Sequence, residues 1–214
     1  MSSRDQAAAN VLDADELREI SKHAVQRRFP AKAVIVSEGD RTDSLFIILE
    51  GRAKAYVSDE SGREVMLSVM GPGEYFGEIA LDEGPRSASV MSIEPCVLSV
   101  VSRADLDEFI RANPRFASHF INRLIGRIRT LTKNVGTLAL MDAYGRVARL
   151  LLESSVTEDG VQYVPERLTQ AEIASRVGCT REMVSKIFKD LVQGHYITLQ
   201  ADRIVIHRKP PSRS

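Results

Sequence analysis

Apolar positions divide the chain into a β-rich front part and a helical back part. From about residue 25 to residue 101, short apolar runs alternate with turn sequences such as Glu38-Gly39-Asp40. Runs that recur at a spacing of roughly 8–12 residues are typical of an antiparallel sandwich or barrel. The pattern therefore predicts strands over residues 33–36, 44–49, 53–57, 64–69 and 97–101.

Helical patterns flank these strands. Residues 13–23 show helical spacing with acidic residues in the first turn. Ser102, with Asp105 three positions later, predicts an N-cap that opens a short helix to about residue 112. Pro114 predicts the start of another helix, because proline is tolerated in a first turn.

The most regular periodicity of the chain follows Pro114. Apolar residues recur there at alternating intervals of four and three, in the order Ala117, Ile121, Leu124, Ile128, Leu131, Val135 and Leu138. β-Branched residues alternate with leucines, which favours a parallel two-stranded coiled coil. The alternative is an amphipathic helix packed on its own domain, but such a helix needs a wider apolar stripe. We therefore expect a homodimer joined from Ala117 to Leu138, with a hinge where Asp142 to Gly145 interrupt the pattern.

Two short helices with a tight turn between them are predicted near the C-terminus. Thr169 and Glu172 form a capping-box sequence that opens the first helix, and Thr180 caps the second. Gly178 supplies the turn. The apolar residues are compact enough to pack together: Ile173, Ala174, Val177, Val184, Ile187, Phe188 and Leu191. This is a helix-turn-helix, whose second helix enters the DNA major groove.

The exposed residues at the start of these helices are candidates for contact with double-stranded DNA. They are Thr169, Gln170, Thr180, Arg181, Glu182, Ser185, Lys186 and Lys189. Arginine and lysine donate to guanine edges, and glutamate accepts from the cytosine amino group. Residues 195–200 and 203–207 predict a β-hairpin behind the second helix, which makes the module a winged variant.

Charge and composition narrow the function classes. The formal net charge is zero, but from residue 161 onward nine Lys and Arg outnumber five Asp and Glu, so this segment carries +4 and the remainder −4. A basic C-terminal part suits a phosphate-bearing partner, although a solvated surface is the alternative. Apolar runs are too short for a membrane span and a secretory signal is missing, so we expect a cytoplasmic protein. Two cysteines and four scattered histidines show no metal-ligand spacing, and no catalytic constellation is found, so we expect neither a metal site nor an enzyme.

Residues 73–90 contain a candidate site for an anion. Gly77 lets a ligand approach the backbone closely, and the turn of amides before Leu81 suits an anion. Arg86 offers a planar fork to a phosphate, and Glu78 offers an acceptor to a hydroxyl. A surface ion pair between Glu78 and Arg86 is the alternative.

Both motifs resemble those of the cyclic-AMP receptor protein (CRP/FNR) family. Residues 76–81 and 85–90 look like its phosphate-binding cassette, and residues 181–186 are similar to its recognition helix. The resemblance covers nearly the whole chain in the family's order. It implies an α+β fold: an N-terminal antiparallel β-roll that binds a cyclic nucleotide, a long dimerisation helix and a C-terminal winged helix-turn-helix. The expected domains are residues 1–112, 113–141 and 142–214.

The resemblance also implies roles for individual residues. It implies a cyclic nucleotide as effector, cyclic AMP (cAMP) first, bound by Leu67, Ser68, Gly77, Glu78, Ile79, Ala80, Arg86, Ser87, Arg127 and Thr132. Arg86 and Ser87 would hold the cyclic phosphate, and Glu78 the ribose hydroxyl. Arg127 and Thr132 would reach the base, the latter across the dimer. The DNA target would be a palindrome of TGTGA-like half-sites, and RNA polymerase is the implied protein partner.

Two departures from the family pattern leave choices open. Leu131-Thr132 stands where the family's cAMP receptors often have Thr-Ser, so cyclic GMP (cGMP) and cyclic di-GMP are kept as alternatives. Lys186 stands where many relatives have arginine and lacks its bidentate fork, which relaxes the expected specificity at one base pair. A regulator that binds DNA without any effector is a further alternative.

Overall fold

The computed structural model of the protein describes residues 14–21, 24–78, 84–165 and 168–210. The chain forms two compact units. The first comprises the chain up to Val57 together with Leu67–Leu131, and the second comprises Ser58–Met66 together with Thr132–Ser214.

Two four-stranded antiparallel sheets build the β-rich part. One has the strand order β1-β8-β3-β6 and the other the order β2-β7-β4-β5. The strands are β1 (Val25–Phe29), β2 (Val34–Val36), β3 (Ser44–Glu50), β4 (Ala53–Ser58), β5 (Glu64–Met70), β6 (Tyr75–Phe76), β7 (Ser89–Ser92) and β8 (Cys96–Ser102). The five strands predicted from the sequence are confirmed, and β1, β6 and β7 were not predicted.

The three additional strands have weak sequence signals for identifiable reasons. β1 has the sequence Val-Gln-Arg-Arg-Phe and its first four residues are exposed, so it lacks an alternating apolar face. β6 is only two residues long. β7 begins and ends with serine, and one of these, Ser92, is buried where its hydroxyl donates to Pro30 O at 2.6 Å.

Side chains that point alternately to the two faces of the strands form two separate apolar clusters. Ile47 and Tyr75 belong to a cluster with residues of the flanking helices, and their neighbours Phe46 and Phe76 belong to a cluster within the strands. Successive strand residues point to opposite faces, which explains this division. The flanking helices are α1 (Ala14–Ile20), α2 (Arg103–Ala112) and α3 (Pro114–Leu140).

The long helix α3 has one buried and one exposed apolar side. Phe116 and Phe120 are buried in the cluster with Tyr75. Most of the predicted heptad positions are instead exposed in the protomer: Ile121, Ile128, Leu131, Val135 and Leu138 are 46% to 65% exposed. The helix ends at Leu140, and α4 (Ala143–Glu153) begins after Asp142, whose carboxylate accepts from the Gly145 amide at 2.7 Å.

The second unit contains the predicted helix-turn-helix. Its elements are α4, α5 (Gln170–Val177), α6 (Arg181–Gln193) and a sheet of order β11-β12-β10-β9, with β9 (Val156–Glu158), β10 (Val161–Val164), β11 (Ile197–Leu199) and β12 (Ile204–Ile206). The capping box at Thr169, the N-cap at Thr180 and a left-handed Gly178 with φ of 67° are confirmed. The apolar residues predicted for the two helices lie in one buried cluster. β9 was not predicted, because its sequence is polar and every residue in it is exposed.

Candidate functional site

Arg86 is the centre of the first candidate site. The residue is 4% exposed and precedes β7. Its guanidinium donates from Nε to Thr42 Oγ1 (2.7 Å), from Nη1 to Gly77 O (2.7 Å) and from Nη2 to Ser44 O (2.6 Å). The Arg86 amide also donates to Asp40 O at 2.8 Å. Side chain and backbone are therefore both fixed, beside the first residue of β3.

Gly77 is required by this arrangement for two separate reasons. Its φ of +88° lies in the left-handed region that favours glycine. In addition, a Cβ atom at this position would lie 2.7 Å from Arg86 Nη1 and 2.8 Å from Ser44 O, and the second of these is backbone that cannot rotate away. The glycine that the sequence singled out is thus needed to let Arg86 pack against the turn after β6.

The positive charge of Arg86 makes an anion a stronger hydrogen-bond acceptor for it than the neutral oxygens that it now binds. Burial lowers the pKa of Arg86, while the nearby carboxylates of Glu78, Asp43 and Asp40 raise it. An arginine side chain remains protonated in a protein. Its three acceptors in this structure are neutral oxygens, and hydrogen bonds to a charged oxygen are roughly twice as strong as neutral ones. A phosphate can therefore compete for this guanidinium.

Glu78 connects this turn to the long helix. Arg127 of α3 forms a close ion pair from Nη1 to Glu78 Oε1, and its Nη2 donates to Tyr75 O. The same Nη2 lies 4.0 Å from Met70 Sδ at the end of β5. Glu78 Oε2 is buried and has no hydrogen-bond partner among the described residues. One carboxylate oxygen is thus engaged by α3, and the other can accept from a hydroxyl.

Tyr75 packs against residues of α3 that no sequence pattern singled out. Its ring stacks on Phe120 with centroids 5.0 Å apart, and the Arg123 guanidinium carbon lies 3.9 Å from its centroid. Burial raises the pKa of Tyr75 to about 12 and lowers the pKa of Arg123. Tyr75 Oη and Arg123 Nη1 are buried without a hydrogen-bond partner in the described part of the chain. The phenol is therefore neutral, and ring contacts hold the arginine.

Four of the ten residues implied to bind the effector lie around one turn: Gly77, Glu78, Arg86 and Arg127. Leu67 and Ser68 lie on β5, the former half-buried and the latter exposed. Because side chains alternate along a strand, Ser68 faces the same side as Met70, which contacts Arg127.

Two further implied residues, Ser87 and Thr132, are exposed. Ser87 is exposed next to the buried Arg86. Thr132 is exposed on α3 and belongs to the second compact unit. Ile79 and Ala80 lie outside the described residues. Conversely, the acceptors Thr42 and Ser44 were missed, because a hydroxyl and a backbone carbonyl carry no sequence signal for an arginine 44 or 42 positions away.

The second candidate site is the start of α6. The Thr180 hydroxyl accepts from the Met183 amide at 3.2 Å. Val184, Ile187 and Phe188 turn one face of the helix into the core. The other face exposes Arg181, Glu182, Ser185, Lys186 and Lys189, whose side chains form no hydrogen bond or ion pair with any described residue. Of the candidates at the start of α5, the N-cap Thr169 accepts a hydrogen bond from the Glu172 amide, and Gln170 is half-buried.

Among the described segments, no helix has both the length and the apolar content that a membrane span requires. The same segments hold no cluster of three or more His, Cys, Asp or Glu residues that could ligate a metal ion.

Comparison with known sequences assigns both parts of the chain to known domain families. Residues 26–113 match the family model of the cyclic nucleotide-binding domain, and residues 145–210 match that of the Crp-like helix-turn-helix domain. The chain is 31% identical over 193 residues to the cAMP-activated global transcriptional regulator CRP of Pasteurella multocida, covering 86% of this chain and 91% of the relative. It is also 31% identical over 198 residues to the cAMP-activated global transcriptional regulator Vfr of Pseudomonas aeruginosa, covering 89% and 92%.

A solved structure has the same fold. The c-di-GMP responsive global regulator CLP of Xanthomonas campestris superposes with a TM-score of 0.80 at 23% sequence identity, covering 92% of this chain and all of that chain. At this identity the likeness concerns the fold alone.

Proposed function

The chain belongs to the CRP/FNR family of transcription regulators, and from this we propose that it is a homodimer that binds cAMP and then a palindromic TGTGA-like DNA site. The observation that carries the proposal is the cluster of Arg86, Gly77, Glu78 and Arg127 around one turn. It provides a buried cation for a phosphate and a carboxylate oxygen for a hydroxyl, the two groups that a cyclic nucleotide presents side by side.

The choice of cAMP rests on the sequence relatives. The CRP of Pasteurella multocida and Vfr of Pseudomonas aeruginosa are both described as cAMP-activated. The CLP regulator is described as responsive to cyclic di-GMP, which keeps the dinucleotide as an alternative effector. cGMP is a further alternative, because Leu131 places an apolar group where cAMP receptors often carry a hydroxyl. Ile79, Ala80, Leu67, Ser68, Ser87 and Thr132 complete the proposed pocket.

The dimer proposal rests on the exposed side of α3. Its heptad positions leave a continuous apolar seam on the protomer surface, and a monomeric protein rarely exposes such a stripe. A parallel pair of α3 helices buries the seam and brings Thr132 close to the symmetry axis. Two recognition helices then engage half-sites about one DNA turn apart, roughly 34 Å.

DNA recognition is assigned to the exposed face of α6. Arg181 and Glu182 read base edges, whereas Lys186 and Lys189 contact phosphates or neighbouring bases. Thr169, Gln170, Thr180 and Ser185 lie at the margin of this face. DNA as the target places the protein in the cytoplasm, with RNA polymerase as the proposed partner at promoters.

The effector site and the DNA-binding site are coupled if the effector binds one arrangement of the protein more tightly than the other. A ligand shifts a protein between two arrangements only as far as it binds one of them better. A phosphate that takes Arg86 from its carbonyl acceptors, and a hydroxyl that binds Glu78 beside Arg127, change contacts at the turn and at α3 together. We propose that this change favours the spacing of recognition helices that fits DNA.

The experiment is a titration of the purified protein with cAMP, cGMP and cyclic di-GMP, read by calorimetry and by mobility of a palindromic DNA duplex. We expect cAMP to bind and to increase the affinity for the duplex. Binding of cyclic di-GMP instead would replace the proposed effector. DNA binding that no nucleotide alters would favour the effector-independent alternative, and a single protomer in sedimentation would contradict the dimer.

A further inference from the structure

Arg146, near the start of α4, makes an unusual set of hydrogen bonds within the second unit. Its guanidinium donates from Nε to Val177 O (2.7 Å), from Nη1 to Met141 O (2.7 Å) and from Nη2 to Gly178 O (3.4 Å). All three acceptors are backbone carbonyls from two segments that are more than 30 positions apart in the sequence.

These carbonyls belong to the ends of two helices. Met141 follows the last residue of α3, and Val177 is the last residue of α5. Carbonyls at a helix C-terminus lack partners within the helix, and a cation is favourable beside them. One side chain of α4 therefore satisfies both the end of the long helix and the end of the first helix of the DNA-binding motif.

The second of these ends lies directly before the start of the recognition helix. Gly178 is the left-handed C-cap of α5, and Thr180, the N-cap of α6, is only two residues further on. A Cβ atom at Gly178 would lie 3.3 Å from Leu138 Cδ2, so the last turn of α3 also packs on this turn. The end of α3 therefore contacts the turn before α6 directly through Leu138 and, by way of Arg146, through Met141.

Arg149, one turn later on α4, provides a matched contrast. It donates from Nε to Glu153 at 2.9 Å and from Nη1 to Thr137 Oγ1 at 3.0 Å, and Lys133 lies 3.4 Å from the same Glu153 carboxylate. Arg149 therefore joins α4 to the end of α3, where its Nη1 also lies 3.9 Å from Met141 Sδ, and among the described residues it forms no hydrogen bond with the turn between α5 and α6.

We propose that Arg146 is a positioning residue that makes the turn before the recognition helix follow the end of the long helix, so that effector binding alters DNA affinity. The inference rests on the proposed function. Gln and Lys at this position each lack the planar fork that reaches carbonyls of both segments at once.

The first experiment measures coupling. Fluorescence anisotropy of a palindromic TGTGA duplex gives the DNA affinity of the full-length protein with and without cAMP. In Arg146→Gln and Arg146→Lys we expect the ratio of these affinities to fall at least about tenfold towards one, while the cAMP affinity stays within about twofold. Arg149→Gln should retain the ratio. Equal weakening of DNA binding in both states, with the ratio kept, would mean a merely structural role and overturn the inference.

The second experiment does not depend on the effector. Hydrogen exchange of the nucleotide-free protein should become faster in Arg146→Gln at residues 138–142 and at residues 178–183 together, with β12 unchanged as the reference. Arg149→Gln should affect the first segment alone. If wild-type protein ignores cAMP, the proposed function fails, and the exchange result still decides the role of Arg146. Faster exchange at one segment only would contradict the link.

Discussion

Each candidate site contains an arginine and a glutamate, but these side chains are bonded within the protein at the first site and exposed at the second. At the turn after β6, Arg86 is buried with three protein acceptors, and Glu78 is paired with Arg127. At the start of α6, Arg181 and Glu182 are exposed, and neither side chain is bonded to another described residue. The first site must exchange internal bonds for ligand bonds, whereas the second presents its donors and acceptors directly.

Because of this difference, substitutions at the first site should affect stability and ligand binding together, whereas substitutions at the second should affect binding alone. Removal of a group in the buried site leaves partners unsatisfied, so ligand binding and folding should suffer together. Removal of an exposed side chain usually changes the free energy of unfolding by less than about 0.5 kcal/mol. Variants at the recognition helix should therefore lose DNA affinity alone.

The largest effect on stability is expected for Gly77→Ala. The new Cβ atom meets Ser44 O and Arg86 Nη1, and the backbone has a φ of +88°. We expect the free energy of unfolding to fall by roughly 2–4 kcal/mol, from left-handed strain plus overpacking. The Cβ atom also displaces Arg86 Nη1 and blocks the close approach of a ligand to the backbone at this turn, so the affinity for cAMP should fall at least about tenfold. Urea denaturation and calorimetry measure the two effects.

Gly62→Ala is the matched control for that variant. Gly62 has a φ of +78°, but a Cβ atom there meets nothing within 4 Å. Gly62→Ala should lower the free energy of unfolding only by the cost of left-handed backbone, about 1–2 kcal/mol, and leave the affinity for cAMP unchanged. Equal behaviour of the two alanine variants would show that contact with Arg86 is irrelevant to the pocket.

Arg181→Ala should give the next largest effect, confined to DNA binding. Loss of a bidentate contact to a base costs about 1–3 kcal/mol, or roughly 5-fold to 150-fold in affinity for a TGTGA-like duplex. The free energy of unfolding should remain within about 0.5 kcal/mol of wild type. Anisotropy at fixed salt and urea denaturation check both statements.

Arg181→Lys separates charge from geometry at the same position. Lysine keeps the positive charge but lacks the planar fork, so it should restore non-specific binding and leave the preference for the TGTGA-like site weakened. Full recovery of that preference by lysine would remove Arg181 from the base-reading set.

The sequence predicted local features better than long-range ones. The caps at Ser102, Thr169 and Thr180 depend on residues three positions apart, and all three were confirmed. The heptad pattern gave the length of α3 for the same reason. Local hydrogen bonds and helical periodicity leave their signature within a few residues of the chain.

Partners that are distant in sequence could not be predicted. Thr42 and Ser44 are acceptors for Arg86 across more than 40 positions, and the buried Arg123 packs against the ring of Tyr75, which is also distant in sequence. β1 was missed because it is recognisable through its pairing with β8, as in Val25 with Val100, and not through its exposed polar sequence. Such contacts exist only after the chain has folded.

A smaller effect is expected at Arg123, the second buried arginine of the first unit. Like Arg86 it is 4% exposed, but it is held by the Tyr75 ring and leaves Nη1 unbonded to any described residue. In Arg123→Met, loss of the cation–π contact is offset by removal of a desolvated charge. The free energy of unfolding should change by less than about 1.5 kcal/mol, and cAMP affinity should be unchanged.

Arg86→Met is the informative partner of that variant. The substitution leaves Thr42 Oγ1, Gly77 O and Ser44 O without their donor, so it should abolish measurable cAMP binding and lower stability. Loss of cAMP binding in Arg123→Met as well would show that burial of positive charge, and not the geometry at the turn, supports the pocket.

The smallest effect is a pH dependence at the start of α5, where an exposed charge does have a local partner. The Thr169 amide donates to the Glu172 carboxylate at 2.7 Å, and this bond lowers the pKa of Glu172 below its ordinary value of 4.5. Because the pKa is lower in the folded state, the stabilisation is fully present above pH 4.5 and is lost as the pH falls through the folded-state pKa. Exposure and salt screen the interaction, so it should be worth less than about 1 kcal/mol. Glu172→Gln keeps an acceptor without the charge, so the difference in unfolding free energy between wild type and variant should shrink between pH 7 and about pH 3.5. A difference that stays constant over this range would show that the carboxylate charge contributes nothing to the cap, and that this edge of the DNA-binding motif behaves like the unpaired charges of α6.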